Sequence, residues 1–341
     1  MENQKESELK RRVMSSIYRE YWKQEISLYL SIIIAGAMLA GAWMYNTRIK
    51  IPDNDRKVLV ASEKIPKTVM EEKVLPTAGV ELPVTWGNLG KKLVSTGAID
   101  GEKFKTLYEG RGQFTEEYEK LLLGDNNGKI KITEDNASYL LNLFWALSLS
   151  NSNAILIDQK EMNNPQYGGA AGLASTGGWT MAVGDAMDHY NRHIYFKLTP
   201  EQQSLVDKVS RGIYRPCCNN STHFPDCNHG MAMLGFLELM ASQNVNEQDM
   251  WKAALAMNSY WFPDTYITIA TYMRAKGVEW QDVNPQEMLG FDYSSNSGFR
   301  NISSQVTAPS NSRSGNGCGV DAGPSTQSTP TQQRQQSGCG I

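Results

Sequence analysis

Residues 26–45, ISLYLSIIIAGAMLAGAWMY, are twenty consecutive positions without a charge. A helix needs about 20 apolar residues to cross a ~30 Å hydrocarbon layer, so the run predicts a single transmembrane anchor. Tyr21 and Trp22 before it, and Trp43 and Tyr45 at its end, suit an interfacial aromatic belt. Ala40-Gly41-Ala42 offers an A-x-A cleavage pattern. The apolar run is longer than a signal peptide's core, however, and the polar lead is long, so the anchor is expected to stay uncleaved. Six Lys/Arg lie in residues 1–25 and six in residues 46–67, so flanking charge does not set the orientation. An early anchor followed by a large domain predicts a single-pass layout with the domain on the extracytoplasmic side. Gly36 with Ala40, and Ala37 with Gly41, give the small-xxx-small spacing that permits a homodimer through this helix.

Beyond the anchor the apolar spacing is mostly that of helices. A polar segment at 1–25, the anchor at 26–45 and a stalk at 46–80 containing Pro52, Pro66 and Pro76 precede an α-helical domain at 81–302. About ten helices are expected there and almost no strand, which makes the fold class all-α. From Leu82 the chain reads as two short helices broken at Gly97, the second capped by Asp100, then a third capped by Thr115. Asn127-Gly128 within a short alternating stretch reads as a tight turn; a calcium loop from Asp125 fails because Ile130 stands where glycine is required. TEDNASYLLNLFWALSLS at 133–150 is apolar nearly all round and is expected at the centre of the core. Helices are also predicted over 180–196, 198–214, 228–243, 246–262 and 263–277, with Thr199, Pro200 and Gln202 supplying a capping box. The glycines of 167–179 lack the order of a phosphate loop and suit close backbone packing. Residues 303–341, rich in Ser, Gln, Thr, Gly and Pro, are expected to be a disordered tail.

Composition narrows the partners. An apolar fraction of 40% in 341 residues supports a sizeable core, and a net charge of -3 with scattered Lys and Arg excludes a nucleic-acid footprint. The membrane and a metal ion remain as expected partners.

The chemistry is concentrated in YRPCCNNSTHFPDCNHGMAM, residues 214–233, which holds three of five cysteines and two of four histidines. Cys217, Cys218, His223, Cys227 and His229 stand here, and His189 and His193 lie just upstream, so all four histidines fall within 41 residues. Thiolate and neutral imidazole are the ligands of zinc, and thiolates also favour Cu(I). The cluster therefore predicts a metal site, zinc first and copper second, with Cys217, Cys218, Cys227 and His229 as leading ligands. His189 and His193, four apart on the expected helix, and His223 would complete that site or form a second one. Asp188 and Asp226 are candidate partners that orient imidazoles, Asp226 being equally a helix cap. Met231 and Met233 follow at once; at helical spacing they read as core filler, with copper the alternative.

The C-C-x4-H-x3-C-x-H spacing matches neither a zinc ribbon nor a haem attachment motif. Two alternatives to metal binding stay open. One is a thiol–disulfide oxidoreductase, with Cys227 activated at a helix N-terminus and Cys217 or Cys218 resolving. The other is a non-catalytic envelope scaffold whose block is a rigid loop. No general-base motif such as H-E-x-x-H occurs, which favours binding over catalysis. In the tail, Cys318 and Cys339 each stand between glycines, and a flexible chain of ~38 residues reaches roughly 35 Å, far enough to visit the site.

Overall fold

At Thr199 the capping signals act as the sequence demands. The Thr199 hydroxyl accepts from the Gln202 N–H at 3.2 Å while the Gln202 side chain accepts from the Thr199 N–H at 2.9 Å. Pro200 occupies the first helical position, where its missing donor costs nothing. A computed structural model describes residues 67–306 of the protein. In chain order the first elements are α1 (Lys67–Val74), β1 (Val80–Gly87), α2 (Leu89–Ser95), α3 (Gly101–Gly110), α4 (Glu116–Leu123), β2 (Asn127–Ile132) and α5 (Ala137–Ser150). There follow α6 (Ala174–Gly177), α7 (Pro200–Gly212), α8 (Asn228–Ser242), α9 (Glu247–Trp261), α10 (Pro263–Ala275), α11 (Pro285–Leu289), α12 (Phe291–Ser294) and α13 (Asn296–Ser303).

The described residues are thus mostly helical, in keeping with the all-α expectation, but they include one two-stranded sheet. β1 and β2 pair antiparallel, with Val80 opposite Ile132 and Gly87 opposite Asn127. The sheet corrects two readings. The start of the first expected helix is strand: Leu82, Val84 and Trp86 alternate inward, a period of two that buries one face against the core. Asn127-Gly128 is not a tight turn but the start of β2, where the Asn127 side chain donates to the carbonyls of Gly87 and Lys120. Asp100 and Thr115 cap α3 and α4 as expected. Residues 67–74, expected in the stalk, form α1, which places Met70 and Val74 in the core.

The centre is built by α5 and α8. Of α5 only Ser138 escapes burial, and of α8 only Ser242 does. The two helices approach closely at Gly235, where a Cβ would lie 2.6 Å from the Phe144 carbonyl oxygen and 2.9 Å from the Ser148 Cβ. α6, α7 and α9 pack around α8. One face of α8 carries Glu238, fully buried, whose carboxylate accepts from the Asn151 side chain at 2.8 Å. Burial pushes this carboxyl up to about 8, opposed by the Asn151 hydrogen bond.

No α-helix forms over 180–196. The segment is a single 3-10 turn, Ala186–Asp188, then a left-handed residue at Asn191 and a bridge from His193 to Asn151. Asp185 draws the chain into that turn through a reciprocal cap with Asp188, and the helical spacing of His189 and His193 is lost. The anchor expected at 26–45 and the tail cysteines lie outside the described residues. Among the described residues no helix is long and apolar enough to cross a membrane.

Two measurements probe this core. Gly235→Ala is expected to cost about 1–3 kcal/mol by overpacking and to lower Tm by roughly 2–12 °C. An unchanged melting curve would remove the close helix contact. For Glu238 the folded value of about 8 lies above the ~4.3 of an unfolded chain, so the folded state holds a proton between those values that the unfolded state releases. Stability should fall as pH rises through that window, and Glu238→Gln should flatten the fall. Equal pH slopes of the urea midpoint in the two proteins would refute this.

Candidate metal centre

Residues 213–227 join α7 to α8 as a loop pinned at several points. The Thr222 N–H donates to the Ile213 carbonyl at 2.8 Å, and Tyr214 bridges to Ser221, closing a small lobe. The Asn296 N–H donates to the Cys218 carbonyl at 2.9 Å and the Asn296 side chain to the Pro216 carbonyl at 3.0 Å, so the start of α13 fixes the paired cysteines. On the other side the Ser175 N–H donates to the Asp226 carbonyl at 3.0 Å. Cys227 is the N-cap of α8, with extended backbone and no capping hydrogen bond from its side chain.

The loop brings three sulfurs together. The Sγ atoms of Cys217, Cys218 and Cys227 lie within 4.8 Å of one another, and those of Cys217 and Cys227 are 3.6 Å apart. Among the described residues no other group of three or more His, Cys, Asp or Glu side chains converges this tightly. Cys227 is fully buried, whereas Cys217 and Cys218 are partly exposed.

Behind the sulfurs stands Arg215, which is 1% exposed. Its Nε donates to the Cys227 Sγ at 3.0 Å, one terminal nitrogen to the Asn220 carbonyl at 3.0 Å, and the other to the Phe224 carbonyl at 3.1 Å and to Asp226 at 2.5 Å. Asn220 in turn donates to the second Asp226 oxygen at 2.8 Å. Gly230 makes the space: a Cβ there would lie 2.6 Å from the guanidinium carbon. Asp226 is therefore no helix cap; it reaches Cys227 through Arg215.

This arrangement sets the thiol chemistry. Hydrogen bonds from Cys217 and Cys218, then the Arg215 charge, hold Cys227 well below the ordinary thiol range despite burial. A smaller side-chain interaction with His229 acts in the same direction, although neither ring nitrogen of His229 meets the geometry of a hydrogen bond. Cys217 is pushed well up by its hydrogen bonds to Cys218 and Cys227 and by burial. Cys218 is pushed up to about 12, because the Cys227 hydrogen bond and burial outweigh the lowering by Cys217. Hydrogen bonds from Cys217 and Cys218, aided by the Arg215 charge, thus favour the thiolate at Cys227 over the other two positions.

The histidines divide three ways. His229, in the first turn of α8, is 1% exposed, and its ring lies 4.3 Å from that of Phe262. Both of its nitrogens are buried without a hydrogen-bond partner, which leaves a lone pair free, but the ring does not belong to the group of three sulfurs within 4.8 Å of one another. His189 and His193 do not join the cysteines. The Val183 carbonyl lies 2.9 Å from His189 Nε2, which must carry the proton, so Nδ1 accepts from His193 Nε2 at 3.0 Å. Asp188 is exposed and caps its own turn at the Asp185 N–H. His223 is also held elsewhere: Nδ1 meets Glu161, and Nε2 lies 2.9 Å from Asp207 and 2.8 Å from Arg211. Met231 and Met233 are core filler, part of the apolar cluster.

Sequence reading missed Arg215, Glu161, Asp207 and Gly230. A basic residue inside a Pro- and Cys-rich loop, and a glycine in the first turn of the following helix, were the available signals for the first and last. Glu161 and Asp207 carried none, being distant from the block. Comparison with protein-family models, curated proteins and solved structures gives no match for this chain.

Burial alone would lower the His223 value, but hydrogen bonding and charge from Glu161, with Asp207, raise it above 6.5 against the Arg211 charge. The raised folded value means the protonated ring stabilises the native state below about pH 6.5, and the contribution is lost as pH rises through the folded value. Glu161→Gln should lower the ring's titration midpoint and weaken the pH dependence of unfolding above pH 6.5. An unmoved imidazole midpoint by NMR would exclude the Glu161 contact.

Proposed function

We propose that the protein is a membrane-anchored envelope protein that binds a transition metal, zinc first and copper second, through Cys217, Cys218 and Cys227. The convergence of three sulfurs within 4.8 Å carries this reading. Zinc–sulfur bonds of about 2.3 Å arranged as a tetrahedron put neighbouring sulfurs ~3.8 Å apart, close to the observed 3.6 Å between Cys217 and Cys227. His229 is the fourth candidate donor. Its unpartnered nitrogens would otherwise each carry a desolvation cost of about 1–3 kcal/mol, which metal binding by one of them offsets.

Arg215 supports the same reading from outside the ligand set. A divalent ion with three thiolates carries net charge -1, which the guanidinium neighbouring Cys227 complements, while its N–H orients the sulfur. With His229 brought in as fourth donor, three sulfurs and an imidazole would form a closed set, which suits holding a metal more than activating water. A thiolate trio also suits Cu(I), which keeps copper as the second metal. The charge-free run at 26–45 supports a membrane anchor, and its place ahead of one large domain supports the extracytoplasmic side for that domain.

Elemental analysis of the full chain purified in detergent should find close to one zinc or copper per chain. Cys217→Ser with Cys227→Ser should abolish it, and His229→Gln should weaken affinity by roughly tenfold or more, on the scale by which even outer partners of a metal site matter. His189→Gln and His223→Gln should leave stoichiometry unchanged. A metal-free wild-type protein after supply of both metals would end the proposal.

A further inference from the structure

The same sulfurs have a second arrangement within reach. A disulfide needs about 2.05 Å between sulfurs, and Cys217 and Cys227, at 3.6 Å, are already in contact. Cys218 is placed differently: its sulfur faces the Asn220 carbonyl at 3.8 Å, and its neighbour Cys217 is a poor disulfide partner because adjacent Cα atoms ~3.8 Å apart are too close. Accessibility is also divided. Cys217 is partly exposed, while Cys227 is fully buried, so Cys217 is the member of the pair that a reagent from solvent meets first.

We propose that Cys217 and Cys227 are the oxidisable pair of this centre, and that a low-molecular-weight disulfide closes them into a bond and discharges the metal. The discharge rests on the metal reading above; the pair does not. In the first step Cys217 attacks one sulfur of the reagent R–S–S–R, as a thiolate when zinc is bound and otherwise after passing its proton to the neighbouring Cys227 sulfur, from which the released RS⁻ takes it; the reagent's bond breaks, RS⁻ leaves and Cys217–S–S–R forms. In the second the Cys227 thiolate attacks the Cys217 sulfur and expels the other RS⁻. Cys217 and Cys227 together lose two electrons, and the reagent becomes two thiolates, one of them protonated when no zinc is bound. The ion then has one sulfur left, Cys218, which takes a proton from water as the ion departs.

The loop is built to survive both states. When Cys227 loses its charge, Arg215 keeps Asp226 at 2.5 Å and the carbonyls of Asn220 and Phe224 at 3.0 and 3.1 Å. No buried charge is left without a partner, the circumstance that makes breaking an ion pair costly. The bonds from α13 to the Cys218 and Pro216 carbonyls do not involve sulfur and hold the loop in place.

The test uses the full-length chain with Cys318→Ser and Cys339→Ser, loaded with zinc and titrated with oxidised glutathione. A chromophoric chelator follows released zinc and peptide mapping locates the bond. The expected result is a Cys217–Cys227 linkage, Cys218 as a free thiol, one zinc released per bond and recovery on reduction. If no zinc loads but the linkage forms, the metal reading fails and the pair stands. If zinc loads and Cys217 stops at a mixed disulfide, or the bond maps to Cys218, the pair is overturned and the metal reading stands.

Discussion

A guanidinium with no access to water organises the centre of this protein. Taking such a charge out of solvent costs several kcal/mol unless its donors and its charge are met. Arg215 meets both through Asp226, the Cys227 sulfur and two loop carbonyls. The loop between α7 and α8 therefore has to wrap around one point, and its cysteines converge because their backbone is committed to that wrap. Gly230 completes the constraint from the helix side, since any larger residue would occupy the guanidinium's space.

The hydrogen-bonding economy of each imidazole decides its part. His223 lies between two carboxylates and has both nitrogens engaged, so it fastens the loop to Glu161 and α7. His189 and His193 satisfy each other and a backbone carbonyl. His229 alone of the four sits against aromatic rings with neither nitrogen in a well-formed hydrogen bond, and that deprivation marks it as a ligand candidate. Proximity in sequence could not separate these roles, because all four share the same 41-residue window.

One rigid helix links stability to the site. α8 is preceded by Cys227 as its N-cap, carries His229 in its first turn, meets α5 at Gly235, and holds the buried Glu238 toward its far end. Side chains carried by a buried helix are held to closer tolerance than those carried by loops alone. At the other end of the loop Cys217 and Cys218 are partly exposed, so burial differs between the two ends while both are pinned.

Much of the fold was legible in the chain. The capping box at Thr199, the caps at Asp100 and Thr115, and the apolar girdle of α5 are local signals, and local signals survive folding when packing agrees with them. The clustering of cysteines was legible too, because residues ten apart in a loop need only a tight turn to meet. What the chain could not disclose were choices made by distant partners: the period-two face of Leu82, Val84 and Trp86 became a strand because β2 lay alongside it, and the histidine spacing at 189 and 193 lost its helix to the turn at Asp185. Spacing states which side chains are able to meet. Only the packed structure, by burying Arg215 and requiring that its charge be answered, decided which of them do.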